Sequence, residues 1–432
     1  MDNTNISLLS IKLIEEIRTE TDLTWSDSQA TALTVVSILQ DALKLESLQE
    51  IEASLQKDCL DIENCNDACR LRELLQEVAQ MHADVQERSW ALHDNTADIC
   101  SLFNALNNLL QKSDPRVPVP ILCREDNGQH IERLVELFQS EQRRPIRNTL
   151  LGVFKSICLL NSKMPDELLS TLLPIELSSD LFVLDSGQGA EFDEAALRDT
   201  LELISLLFCT GEPPPVSHLD TLRESFVALL FKHSTLNGLK AALAFNLHDD
   251  SASYCRNAVP RVLCDQAKIA QSLTVTSELI AFANRKIDPV WPYTSEQRQR
   301  PHSVIKLLSD LLHSTNGVSC FYSTDLDVLA DICTREIQNL SPKSTLRFEF
   351  LNLLHATLAF VENKSKISDD VSFVVEHLQS PSESDKEVIE RIVLFLKPVT
   401  PSSESCSPLT CDMAALGMND SSPNQAEWVV QL

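Results

Sequence analysis

A stripe of leucine and isoleucine at helical spacing returns along most of this 432-residue chain, and it constrains the fold more than any single motif does. In FYSTDLDVLADICTREIQNLSPKSTLRFEFLNLLHATL, residues 321–358, the apolar positions Leu326, Leu329, Ala330, Cys333, Ile337 and Leu340 follow i, i+3, i+4, i+7, i+11 and i+14. That spacing lines one face of an α-helix, and such a face has to be covered by another element. Ser323, Thr324 or Asp325 can cap the helix, Asp327 and Asp331 suit its positive end, and Arg335 can pair with Asp331 one turn back. Ser341-Pro342 ends it, since proline cannot extend the backbone hydrogen-bond ladder. A second stripe follows in Leu346, Phe350, Leu353, Leu354, Leu358 and Val361, with Arg347, Glu349 and Asn352 turned away from it. Two antiparallel amphipathic helices joined by a short turn are the repeating unit of an α-solenoid.

About sixteen candidate helices satisfy the same periodicity. Besides the two above, twelve of them lie near 5–20, 28–46, 67–88, 90–112, 129–140, 146–161, 192–209, 219–232, 237–247, 270–286, 302–313 and 384–396. No fixed sequence period links them, which points to an all-α, armadillo/HEAT-like irregular helical solenoid. A non-repeating helical globule is the structural alternative. Only 8 glycines occur, too few for folds that depend on many tight turns at positive φ. Segments 113–120, 177–192 (with Gly187 and Gly189), 211–216 and 288–301 read as loops between helix layers. Beyond Pro398 the stripe gives way to Ser, Pro and Asn, the composition of a disordered C-terminal tail. The expected organisation is a helical segment over 1–94 continuous with the solenoid, the solenoid proper over 95–398, and the tail over 399–432.

The formal charge of −27 disfavours nucleic acid and anionic membranes as partners and favours a protein with basic patches, although acidity by itself chiefly confers solubility. No apolar run approaches the ~18 residues of a membrane span, and MDNTNISLLS lacks the pattern of a signal peptide. Thirteen cysteines, an odd and scattered set, read as free thiols in a reducing, cytoplasmic compartment. Cys65 and Cys69 are four apart with Cys59 nearby, but neither a Cys-x-x-Cys nor a paired-histidine motif completes a tetrahedral set, so no metal and no cofactor are expected. His248 and His355 are lone histidines in helical surroundings, which are more often packed residues than general bases. The phosphate-loop, nucleophile-elbow, zinc-protease and kinase signatures are all missing, and no enzyme activity is expected.

Two short proline motifs, Gly211-Glu-Pro-Pro-Pro-Val and Pro115-Arg-Val-Pro118, could serve as ligands for SH3-domain proteins or simply stiffen loops. Asp288-Pro-Val-Trp-Pro-Tyr differs from both, because it sets two large aromatics among Arg285, Lys286, Arg298 and Arg300. Trp, Tyr and Arg carry most interface hot-spot energy, so this loop is the candidate partner-binding element; a loop tucked against its own solenoid is the other reading. The residues singled out are Arg285, Trp291, Tyr293, His302 and Lys306.

The run from Asn284 to Leu358 resembles the leucine-rich domain of the family of NCK-interacting protein with SH3 domain (WISH), which includes the Dip and Ldb proteins of yeasts. The resemblance rests on Asp288-Pro289, Pro301-His302-Ser303-Val304 leading to Lys306-Leu307-Leu308, Phe321-Tyr322 with Thr324-Asp325, Asp331-Ile332, Asn339-Leu340-Ser341-Pro342, Leu346-Arg347 and Leu354-His355-Ala356. Leu173-Pro174-Ile175-Glu176-Leu177 with Asp180, Ala244-Phe245-Asn246-Leu247-His248, and the stretch from Asp98 to Pro115 resemble further family motifs in the same order. The similarity covers about residues 95–398. It implies an armadillo-like domain that binds and activates the actin-related protein 2/3 complex without a preformed filament, touching actin filaments only indirectly. The product implied is a linear, unbranched filament, and the place is the cytoplasmic actin cytoskeleton at the cell cortex, in processes such as endocytosis. The animal members begin with an SH3 domain; this chain begins with helices and holds only three tyrosines. A WASP-type promoter is not indicated, because no LKKT-like motif occurs and only Glu427 adjoins Trp428.

Overall fold

Leucine stripes without strand signals give helices throughout, and among the described residues of the computed structural model there is no β-strand. Described are residues 3–396 apart from 58–59, 88–94, 187–192, 233–235, 249–256, 266–268, 294–297, 299, 315, 362–368, 375–377 and 379–380. The tail expected over 399–432 lies outside them.

The first three helices, α1 (Asn3–Thr21), α2 (Trp25–Leu43) and α3 (Glu46–Leu55), pack on one another. The Thr24 hydroxyl accepts the Asp27 amide to start α2, and Lys44 at φ 51° ends it. Their core is Ile6, Ile14, Trp25, Ala32, Val36, Ile51 and Leu55.

A second and larger core begins in α4 (Asn66–Glu87) and continues through α5 (Thr96–Lys112), α6 (Pro118–Arg124), α7 (Gln129–Ser140), α8 (Arg144–Leu160), α9 (Met164–Leu169) and α10 (Leu173–Ser186). It runs on through α11 (Glu194–Leu207), past the short α12 (Val216–Leu219), and through α13 (Glu224–Lys232), α14 (Leu236–Leu247), α15 (Ala258–Leu263) and α16 (Ile269–Arg285). It closes with α17 (Ser303–His313), α18 (Ser323–Asn339), α19 (Thr345–Leu358) and α20 (Glu383–Leu396). The helices form two rows. In one, α5, α8, α11, α14, α17, α19 and α20 each lie against the next; in the other, α4, α7, α10 and α13 do so, followed by α15, α16 and α18. Paired rows of this kind are the solenoid the periodicity predicts. Apolar burial between the rows holds it, at roughly 1.5–3 kcal/mol per fully buried Leu or Phe side chain.

Residues 118–120, read as the end of a loop, open α6 with Pro118 in its first turn. Three further details are corrected. Residues 177–186, read as loop, belong to α10, where Asp180 is buried beside Arg144 at 2.8 Å and Arg147 at 3.3 Å. Polar Ser178 and Asp180 are buried there while Phe182 and Val183 are exposed, so apolar character does not mark the covered face and the helical stripe is blurred. The second correction is Arg347. It is not turned away from the core but is 1% exposed, with Nη2 on Asp385 of α20 at 2.5 Å. Helix α19 has α17, α18 and α20 around it, and a helix covered on three sides buries its polar positions too. Third, Arg335 pairs with Glu336 and Asn284, not with Asp331.

Candidate functional site

Helix α16 stops at a Schellman-type turn. Lys286 takes φ 56°, its amide reaches Ala283 O at 3.1 Å, and the Ile287 amide reaches Phe282 O at 3.1 Å. From there the described residues 287–293, 298 and 300–302 make an irregular strap, in which Tyr293 meets the C-terminal end of α8 and His302 leads into α17. At its far point Tyr293 is 7% exposed and its hydroxyl donates to the Cys158 carbonyl at 2.6 Å, joining positions 135 apart in sequence. Trp291 stacks edge-on against Tyr293, with centroids 5.1 Å apart at 76°, and is half-buried against the main core.

The return limb is fixed by charge. Asp288 Oδ1 accepts the Ser303 hydroxyl at 2.7 Å and the Val290 amide at 3.2 Å. Its Oδ2 accepts the Ser303 amide at 3.1 Å and Arg298 Nη1 at 2.6 Å, so one carboxylate caps α17 and ties both limbs of the strap. Glu349 of α19 accepts the His302 amide at 2.7 Å and Arg298 Nη2 at 3.4 Å. Burial alone would raise the Asp288 carboxyl, but His302, the Ser303 donors and Arg298 hold it below the usual range. Arg300 pairs with Glu212 and packs over Gly211, whose φ of 74° and close approach to Leu247 suit only glycine.

The five residues singled out from sequence therefore divide. Arg285 and the neighbouring Lys286 and Ile287 are exposed, and the Arg285 side chain makes no hydrogen bond or ion pair to the described residues. Trp291 is half-buried. Tyr293, His302 and Lys306 face inward, and for Tyr293 the reading of a loop tucked against its own solenoid holds: its ring fills the core and its hydroxyl has a buried partner. His302 is 2% exposed, and burial pushes its ring down to about 4. Lys306 donates to Asp310 Oδ2 at 2.7 Å. The same oxygen accepts Asn246 Nδ2 at 2.8 Å and Asn257 Nδ2 at 3.3 Å, a buried polar knot joining α14, α15 and α17. Both proline motifs spend a residue on packing, with Pro214 and Pro118 buried.

Sequence reasoning passed over Asp310 and read Arg298 only as a basic neighbour of the aromatics and Glu349 only as a position away from the stripe, although these groups hold the strap and the knot. One signal was available: Lys306 and Asp310 stand at i,i+4 inside an apolar run, where an ion pair is the means of burying either charge.

Among the described residues no helix is long and apolar enough to cross a membrane. Residues 232–370 match the family described as SPIN90/Ldb17, leucine-rich domain. The matched span starts at the last residue of α13 and takes in α14 to α19, the strap, and all members of the polar knot. Over residues 232–370 the chain is therefore similar to the leucine-rich domain of the SPIN90/Ldb17 family.

Proposed function

We propose that this chain binds the actin-related protein 2/3 complex and activates it without a preformed filament, seeding linear, unbranched actin filaments. The observation that carries the reading is the family match over 232–370, supported by the ordered motifs upstream of it. Activation of a multisubunit complex means stabilising a minor conformation through differential binding. Moving such an equilibrium from 1:99 to 99:1 takes about 5.5 kcal/mol, within reach of one standard interface on a rigid helical surface. The contact proposed is the corner at Arg285 with the rim of Trp291, while Tyr293 and His302 act from beneath by fixing the strap and Lys306 by holding the polar knot under α17. The acidic surface suits a basic partner and the cell cortex is the proposed place of action.

Single-filament fluorescence microscopy of the purified chain with the complex and actin monomers tests this. New unbranched filaments should start without seeds or a WASP-type protein. Branched products alone, dependence on seeds, or no acceleration over the complex by itself would each reject the proposal; the last would leave an armadillo-type scaffold for another assembly. At the contact, Trp291→Ala should cost about 2 kcal/mol of binding, or roughly thirtyfold in affinity, while the helical circular dichroism is kept. Unchanged affinity in a folded variant would move the contact elsewhere on the solenoid.

A further inference from the structure

Two thiols meet away from the strap. Cys264 closes the C-terminus of α15 and is half-buried; Cys320 ends the 3-10 turn Gly317–Cys320 that leads into α18 and is fully buried. Their sulfurs are 3.8 Å apart, although the residues are 56 positions apart in sequence. A disulfide bond is about 2.05 Å long, so closure asks for a shift of about 2 Å.

Both backbones are held at this point by the same helix. From α16, the Thr276 hydroxyl donates to the Cys320 carbonyl at 2.6 Å and the Ser272 hydroxyl donates to the Leu263 carbonyl at 2.6 Å. The turn carrying Cys320 is also fixed from the other side, because a Cβ on Gly317 would overlap the Leu311 carbonyl oxygen of α17 at 1.6 Å. The pair is thus a defined juxtaposition between two anchored chain segments, of which Cys320 is buried and Cys264 only half-buried.

We propose that Cys264 and Cys320 form an oxidisable dithiol site that reacts with low-molecular-weight disulfides, such as glutathione disulfide, and closes to an intramolecular disulfide. The Cys264 thiolate attacks one sulfur of glutathione disulfide, forming the mixed disulfide and expelling one glutathione thiolate. Cys320 then gives up its proton and attacks Cys264 Sγ, expelling the second. Two glutathione thiols carry away the two protons and two electrons, and the protein gains one S–S bond. The order of attack follows from the environment: the Cys320 hydrogen bond holds the Cys264 thiol below its usual value, whereas that bond and burial push Cys320 up. The site is independent of the proposed partner.

The experiment is to incubate the full chain with glutathione disulfide, block remaining thiols with iodoacetamide, and map peptides by mass without reduction. Expected is a linked pair of peptides containing Cys264 and Cys320, lighter by two hydrogens than their sum and separated by dithiothreitol. A higher Tm should accompany the link, since it closes a long loop. Cys320→Ser should stop at the glutathione adduct on Cys264, and Cys264→Ser should give neither adduct nor link at Cys320. In the wild-type chain, a lasting adduct on Cys264, a link from Cys264 to another cysteine such as Cys255, or no reaction would each overturn the proposal without recourse to the variants.

Discussion

Helices α1–α3 and the solenoid that follows them bury the same kinds of residue, but they hold together differently. From Ala68 to Ile392 one apolar cluster passes without interruption from helix to helix. The cluster inside α1–α3 has seven buried members and is separate. Leu60 packs against both cores. Across the seam Arg18 grips Asp67 through two bonds, at 3.2 and 3.0 Å, Lys112 pairs with Asp22, and Arg18 reaches the Lys112 carbonyl at 3.4 Å. Burial within α1–α3 is also shallower, with Leu8 59% and Ile38 63% exposed and Leu9, Leu39 and Leu43 open as well. A stripe is buried only as far as neighbours cover it. The solenoid rows supply neighbours on several sides; three helices alone do not. Charge joins the first region to the second, and apolar contact runs through the second.

The largest test of that contrast is Asp310→Ala. It leaves Lys306, 8% exposed, without the carboxylate that neutralises it, and strips a shared acceptor from Asn246 and Asn257. Breaking a buried pair from one side costs about 3–5 kcal/mol, and the loss should appear in the main urea transition of the solenoid. In α1–α3, Ile14→Ala removes a fully buried side chain and should cost about 2–5 kcal/mol, yet accelerate hydrogen exchange only over residues 3–55. Should Ile14→Ala shift the main transition as far as Asp310→Ala does, the two cores unfold as one and the contrast fails.

Much of the solenoid can be read directly from periodicity, because apolar spacing reports which face of a helix is covered. Helix α7 falls at 129–140 as expected, and Leu326, Leu329, Ala330, Cys333 and Ile337 are all buried. What periodicity does not carry is the number of covered faces. Arg347 and Glu349 looked like a solvent face, and both instead meet charges supplied from distant segments, Asp385 and Arg298. The strap shows the same limit. Asp288-Pro289 marks a turn in any chain, but nothing local in Trp291-Pro-Tyr293 says that the Tyr293 hydroxyl will meet a carbonyl 135 residues back. An aromatic with a polar tip fits an interface rim and a buried loop equally well.

Acid should separate the two regions by sign. His302 and His248 are both pushed down to about 4 by burial. The unfolded chain takes up protons near 6.5 and the folded one near 4, so stability is lost as pH falls through that window and is intact above it. Each histidine accounts for about 3 kcal/mol over the full window. Asp288 does not offset this, because a depressed carboxylate gives up its contribution only below the ordinary carboxylate range, while burial raises the Asp310 and Glu349 carboxyls, which oppose part of the loss. Residues 1–55 contain no histidine, and there burial raises the Glu15 carboxyl while Arg18 partly opposes it. A raised carboxyl favours the folded form in acid and loses that contribution as pH rises. Between pH 7 and 5, hydrogen exchange should therefore quicken in α14–α17 before it does in α1–α3, once rates are corrected for intrinsic pH dependence. Equal quickening in both would remove the histidines as the cause.

The smallest expected effect probes the seam itself. Arg18 is 11% exposed at its side chain, as is Asp67, and its guanidinium also lies over the Trp25 ring at 5.6 Å. Arg18→Ala therefore removes a charge-assisted pair and a cation–π contact at once, at a cost of about 2 kcal/mol. The cost should fall on docking, so that exchange and proteolysis rise over residues 3–55 while the solenoid keeps its Tm. Arg18→Lys keeps the charge but loses the two-pronged grip, and should lie between wild type and Ala. Salt gives an independent reading. Raising ionic strength to 1 M shortens the screening length to about 3 Å, which weakens Lys112 on the exposed Asp22 more than Arg18 on the enclosed Asp67. High salt should then loosen α1–α3 slightly in the wild type and add little in Arg18→Ala. If Arg18→Ala leaves exchange over 3–55 unchanged, the seam is carried by Leu60 and the apolar contacts around it, and the two regions are joined by the same means that build the solenoid.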